Sequence, residues 1–170
     1  MKQSVILLLL LVHTYLFAHP HTFIEVEPNI EIKDEKIQSF HLKWTLDEMT
    51  SMMLIMELDS NGDGKFDKEE NNYIYENYFS SLEDKNFYMH IDSNKKKTLI
   101  KTKEFQASIE KDRLIYSFAI DKKIDIKNLE IDFFDEELFV GMIIEKEYIT
   151  IAGINKAQQN ILKKQIFGVK

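Results

Sequence analysis

Residues 59–70 read D-S-N-G-D-G-K-F-D-K-E-E, with oxygen donors at nearly every second position. Calcium is a hard cation that takes roughly six to eight oxygens, and a twelve-residue loop supplies them at fixed offsets. Asp59, Asn61 and Asp63 stand at loop positions 1, 3 and 5 with side-chain oxygens. Lys65 at position 7 offers its backbone carbonyl, and Asp67 at position 9 reaches the ion directly or through a water. Glu70 at position 12 brings two oxygens, a bidentate grip that favours calcium over the smaller, octahedral magnesium. Gly64 at position 6 takes the sharp turn that a β-carbon resists, and Phe66 at position 8 is an apolar anchor. This is the pattern of an EF-hand loop. Its bland alternative is a solvated acidic turn between two helices. The sequence holds no second loop of this kind, so the affinity expected is nearer the extracellular regime of about 10⁻⁴ M than that of a cytosolic sensor. That suits a structural clip.

A second set of donors depends on how the chain begins. Met1-Lys2 is a short positive start, Val5 to Leu11 is an unbroken apolar run, and Leu16-Phe17-Ala18 closes the segment. Residues 1–18 therefore read as a secretory signal peptide, too short and too weakly flanked for a membrane span. Ala18 suits the cut, although Leu16 is larger than the usual residue two positions earlier; an uncleaved anchor is the alternative. Cleavage after Ala18 makes His19-Pro20-His21 the new terminus. A free α-amine, the His19 imidazole and His21 form a nitrogen set that suits nickel, cobalt, zinc or copper rather than calcium. Pro20 lacks the amide proton that the familiar terminal copper/nickel motif must lose, so further ligands have to come from elsewhere. His41, His90, Glu25 and Glu27 are the candidates. In a hairpin turning near Asp34-Glu35, His41 falls opposite about Pro28, several residues from His21, so the hairpin alone assembles no site. Otherwise the terminus is simply polar and frayed, and His41 and His90 are ordinary sheet-surface residues.

These donors must be positioned by elements that the hydrophobic pattern outlines. Ile24, Val26, Ile30 and Ile32 share one parity against Glu25, Glu27, Glu31 and Lys33, and Phe40, Leu42 and Trp44 alternate with Ser39, His41 and Lys43. That is a hairpin with one buried and one wet face, with Phe23 on the wet side. At Leu46 the period changes. Met49, Met52, Met53 and Met56 fall at i, i+3, i+4 and i+7, and Thr45 with Glu48 offers a capping box. The stripe reads as the packed face of the helix entering the loop; the alternative is a soft-ligand set for copper(I) or an adaptable groove. A second helix follows through Tyr73, Ile74 and Tyr78, so the helix-loop-helix spans about 46–80. Phe87–Ile91, Thr98–Ala107, Leu114–Ile120, Leu129–Phe134, Leu138–Ile144 and Tyr148–Ile151 read as further strands, and Ile154–Ile166 as a closing helix. The fold class expected is α+β, a mainly antiparallel sheet with the EF-hand pair inserted, in one domain over residues 19–170.

Composition narrows the function classes. The 170-residue chain has a net charge of −7, and loss of Lys2 with the signal takes it to −8. An acidic body argues against nucleic acid or an anionic membrane as partner and suits cations. With no cysteine there are no disulfides and no thiolate ligands, and no apolar run after the signal reaches membrane-spanning length. A hydrophobic core must therefore hold the exported chain together.

A signal ending in alanine, then H-P-H-T-F-I, W-T-L-D-E and the EF-hand loop resembles a periplasmic domain of unknown function often labelled the periplasmic component of an ABC-type transport system. The resemblance is clearest over His19–Phe79 and looser over Ile131–Phe139, which includes D-F-F-D-E-E-L-F; Thr22 stands where an apolar residue is expected. It implies a bacterial periplasmic location and a link to inner-membrane permeases of the nickel/cobalt type, with His19 and His21 as metal-handling positions. The combined expectation is a non-enzymatic, calcium-stabilised accessory to transition-metal transport. A calcium-clipped structural or interaction protein is one alternative. A copper enzyme built on the terminal histidine is the other, and no nucleophile–base constellation in the sequence supports it.

Overall fold

The alternation that begins at Thr22 becomes a long hairpin, β1 (Thr22–Lys33) and β2 (Lys36–Leu46). The computed structural model describes residues 21–169, so the segment expected to be a signal peptide and His19 lie outside the described residues. Ile24, Val26, Ile30 and Ile32 on β1 and Ile37, Phe40, Leu42, Trp44 and Leu46 on β2 are all buried, each burial contributing about 1.5–3 kcal/mol. Phe23 stays on the wet face, as its parity requires. The hairpin turns through Asp34 and Glu35, both at positive φ, the geometry whose twist matches the two strands. Asn94-Lys95 and Lys111-Asp112 close two more hairpins in the same way.

The main sheet runs β10-β1-β2-β6-β5, from β5 (Thr102–Glu110), β6 (Arg113–Ile120) and β10 (Thr150–Ala152). The short strands β7 (Ile124–Asp125) and β9 (Val140–Ile143) pair with β2 and β1. All its pairings are antiparallel except those of β1 with β9 and β10. A second antiparallel sheet, β4-β3-β8, is built from β3 (Met89–Ser93), β4 (Lys96–Thr98) and β8 (Leu129–Phe133). The α+β class and its mainly antiparallel sheet are as expected from sequence. Gly153 just after β10 has φ +85°, and a β-carbon there would run into the carbonyl oxygen of Ile32, so only glycine lets the two chains come this close.

Between β2 and β3 come α1 (Glu48–Leu58) and α2 (Lys68–Ile74). Beyond Ile74 the helix widens into a π turn, Tyr75–Phe79, and then tightens through Ser80–Tyr88. Phe79 from that turn is fully buried among Trp44, Phe87, Phe105, Tyr116 and Phe118. The Trp44 indole N–H has no acceptor among the described residues, at a cost of about 1–3 kcal/mol. Ring contacts with Phe79, Tyr88 and Phe118, worth about 0.5–1.5 kcal/mol each, offset it. The closing helix is α3 (Lys156–Phe167), capped by Asn155 at its start and by left-handed Gly168 at its end.

Four expectations need correction. Thr98–Ala107 is not one strand: β4 ends at Thr98 in the second sheet and β5 begins at Thr102 in the main one, with the Ile100 amide between them held by Asn86. The N-cap of α1 is Asp47, not Thr45, because β2 continues through Leu46 and the helix starts two residues later. His41 stands opposite Asn29 rather than Pro28, because a register shift between Glu31 and Ile32 moves the pairing by one residue. The methionine stripe is not the packed face of α1. Met49, Met52, Met53 and Met56 are 73%, 58%, 60% and 82% exposed, while Thr50, Ser51 and Leu58 face inward. Ser51 is fully buried because its hydroxyl donates to the Leu46 carbonyl and accepts from the Leu114 amide, so a polar residue anchors the helix to β2 and β6.

Candidate metal centre

Loop 59–70 sits between two helices with both ends fixed. Asp59 caps the end of α1, its amide donating to the Ile55 carbonyl at 2.9 Å. Asp67 caps the start of α2, its Oδ1 accepting from the amides of Glu69 and Glu70 at 2.8 and 2.9 Å. Glu70 returns the bond, its Oε2 accepting from the Asp67 amide at 3.0 Å, which completes a capping box. Loop position 9 is thus the N-cap and position 12 the third residue of the exit helix. Gly62 and Gly64 take φ +69° and +78° with open space around each, so at Gly64 it is the backbone conformation that favours glycine.

The side chains curl onto the loop's own amides. Asp59 accepts from Asp63 (3.2 Å) and Gly64 (2.9 Å), Asn61 accepts from Asp63 (2.8 Å), and Asp63 accepts from Lys65 (2.9 Å). Glu70 is buried, and its Oε1 accepts both the amide (2.8 Å) and the hydroxyl (2.7 Å) of Ser60. The Ser60 hydroxyl, followed by the Asp67 amide, holds the Glu70 carboxyl below the usual carboxylate range, so it is ionised and ready for a cation. Asn61, Asp63, Lys65 and Asp67 are exposed. Among the described residues no three His, Asp or Glu side chains come together as a group that could hold a metal. The donor chemistry nevertheless fits a hard cation, because every side-chain donor at positions 1, 3, 5, 9 and 12 is an oxygen.

Two braces tie the loop to the sheet and align its helices. Asn71 donates to the carbonyls of Phe66 and Asp67 at 3.0 Å each and accepts the Ala107 amide of β5 at 2.6 Å. The Tyr78 hydroxyl donates to Glu57 at 2.6 Å, linking the chain beyond α2 to α1, and this bond pushes the Tyr78 phenol up to about 12. Phe66 is half-buried and packs against the core.

The histidines do not assemble. His21 donates its amide to the Phe139 carbonyl at 2.8 Å, and its ring stacks on Phe139 with centroids 6.1 Å apart. His90 stacks on Phe134 at 3.7 Å, with Nε2 3.1 Å from the Phe134 carbonyl. His41 lies on β2, opposite Asn29 of β1 and eight residues along that strand from His21. Glu25 and Glu27 turn to cations, Glu25 to Arg113 at 3.6 Å and Glu27 to Lys43 at 3.9 Å. His19 falls outside the described residues.

Two carboxylates missed in the sequence organise this end of the molecule. Asp135 is buried and accepts the amides of Glu137, Phe139 and Val140, shaping the loop that carries both stacking phenylalanines. The signal was the second aspartate of D-F-F-D-E-E-L-F, a residue type that favours such turns. Asp47 accepts from the Thr50 amide and hydroxyl and from the Phe23 amide, so it clamps the start of β1 to the start of α1.

The sequence profile of the family described as "Protein of unknown function (DUF1007)" matches residues 4–162. An "Uncharacterized protein" of Haemophilus influenzae is 26% identical over 173 aligned residues, covering 95% of this chain and 81% of the relative. An "Uncharacterized 15.5 kDa protein in trpE 3'region" of Spirochaeta aurantia is 30% identical over 97 residues, 55% of this chain and 69% of that one. No solved structure matches. The chain belongs to the DUF1007 family.

Proposed function

We propose that this member of the DUF1007 family is an exported, non-enzymatic protein that binds one calcium ion in loop 59–70 and serves as an accessory to transition-metal transport. The observation that carries the calcium part is the loop's frame: α1 ends at position 1, the exit helix is capped at position 9, and Gly64 is left-handed at position 6. A cation entering there replaces the amide and hydroxyl donors now held by Asp59, Asp63 and Glu70. Glu70 leaves Ser60 and turns both oxygens to the ion, while Lys65 contributes its carbonyl.

The transport part rests on the H-P-H start and the resemblance that goes with it, with His19 and His21 as ligands for nickel, cobalt, zinc or copper and an inner-membrane permease as partner. One observation favours the plainer reading of a calcium-clipped structural or interaction protein. Glu25 and Glu27, the acids expected as further ligands, are already engaged by Arg113 and Lys43.

Thermal unfolding tests the calcium part. With a dissociation constant near 10⁻⁴ M, calcium at about a hundred times that concentration stabilises by roughly 2.7 kcal/mol. For a chain of this size that raises Tm by roughly 5–10 °C. Glu70→Gln is expected to abolish the rise. An equal rise in the variant, or none in the wild type, rejects the site.

A further inference from the structure

The outward face of α1 has a chemistry that the calcium loop does not use. The helix is apolar on two sides but sorts its apolar residues by kind. Leu54, Ile55 and Leu58 are turned to the core, while Met49, Met52, Met53 and Met56 are exposed together with Glu48 and Glu57. Four of the chain's seven methionines therefore lie within eight residues on one solvent-facing stripe. On a helix, residues three and four apart have Cβ atoms roughly 5–6 Å apart. Met52 and Met53 are each three or four residues from both Met49 and Met56, so the four form a diamond. Each sulfur lies two bonds beyond its Cβ on a flexible stem, which lets either triad, Met49-Met52-Met53 or Met52-Met53-Met56, close on one ion. Thioethers are soft ligands and select copper(I) among biological cations, leaving calcium to the oxygens of the loop.

The surrounding charge favours a cation as well. From Trp44 to Gly64 the chain carries Asp47, Glu48, Glu57, Asp59 and Asp63 and no lysine or arginine. Arg113, which reaches the Leu46 carbonyl at the foot of the helix, is paired with Glu25, so the acidic excess along this stretch favours cations. With no cysteine in the chain, thioethers are its only soft donors.

We propose that Met49, Met52, Met53 and Met56 form a thioether site for one soft monovalent cation, copper(I) or its mimic silver(I), on the exposed face of α1. The site is independent of the calcium loop, so either can fail without the other.

The test uses the full exported chain, kept anaerobic and titrated with copper(I) against bicinchoninate as a coloured competitor. Wild type is expected to withdraw one equivalent. A Met52→Leu, Met53→Leu double variant breaks both triads while keeping an apolar helix, because leucine and methionine are close in size and helix propensity. It is expected to bind at least about tenfold more weakly, a loss of about 1.4 kcal/mol. Met49→Leu or Met56→Leu alone leaves one triad intact and is expected to cost only about twofold. X-ray absorption of the copper-loaded wild type is expected to show sulfur neighbours that the double variant lacks. Equal copper(I) affinity in the two proteins overturns the proposal, as does copper with only nitrogen and oxygen neighbours. Failure of wild type to compete, with an apolar peptide binding wild type and the leucine variant alike, also overturns it and makes the stripe a protein-docking face.

Discussion

Asp47→Ala removes the clamp on which the candidate metal face depends. The carboxylate is the N-cap of α1, and loss of such a cap costs about 1 kcal/mol. It also accepts the Phe23 amide at 2.9 Å; that amide is exposed and water can replace the acceptor, so about 1 kcal/mol is a fair value. The Thr50 hydroxyl, 2.8 Å from the carboxylate, keeps Thr22 as a neighbour at 3.2 Å and contributes about 0.5 kcal/mol. The expected loss is therefore about 2–3 kcal/mol, or roughly 1 M in the urea midpoint. Asp47→Asn retains capping ability and is expected to recover about half of it. Burial alone would push the Asp47 carboxyl up, but the donors from Thr50 and Phe23 outweigh it and hold it below its ordinary value. A lowered folded value means that the stabilisation is complete above the ordinary carboxylate range and is lost as pH falls through the folded value. The gap between wild type and Asp47→Asn is thus expected to be flat near neutrality and to close in acid. A midpoint shift under about 0.2 M for Asp47→Ala, or a gap that widens in acid, refutes this reasoning.

Gly153→Ala must combine left-handed backbone strain of about 1–2 kcal/mol with a clash on the Ile32 carbonyl of about 1–3 kcal/mol, so urea unfolding is expected to show a loss of about 2–5 kcal/mol. Tyr78 is expected to stay protonated through pH 10.5; ultraviolet titration of wild type and Tyr78→Phe then shows the same phenolate yield there and diverges only near about 12. Asn71→Ala leaves the Ala107 amide and the carbonyls of Phe66 and Asp67 without their side-chain partner, and is expected to cost about 1–3 kcal/mol and to raise hydrogen exchange across 66–71 and at Ala107.

The hairpin was legible because one face of β1 and β2 is buried and the other wet, which forces a period of two on the residues. The break between two helices at 59–67 was legible because Asp, Asn, Ser and Gly there favour turns and caps over helix interior. The methionine stripe was read correctly as one helical face and wrongly as the inner one. Periodicity reports that a face exists, but Ser51, with its two buried hydrogen bonds, decides which side turns in. The placement of His21 and His90 against Phe139 and Phe134 was not legible, since it joins residues more than forty positions apart through a loop shaped by Asp135. The consecutive left-handed residues Asn86, Phe87 and Tyr88 were equally hidden, because only the first is of a type that favours that conformation. Asn86 is held there by a local hydrogen bond to Met89 and by longer-range ones to Thr98 and Ile100.

Metal binding is measured by isothermal titration of the processed, metal-free protein, with calcium first and then nickel, cobalt, zinc and copper(II) at saturating calcium. One calcium per chain is expected, lost in Glu70→Gln, with a separate nitrogen-dependent site lost when His19 and His21 are changed to Ala. Calcium heat that is absent, or unchanged in Glu70→Gln, contradicts the loop assignment. Calcium binding with no second site leaves a calcium-clipped protein and contradicts the transport role.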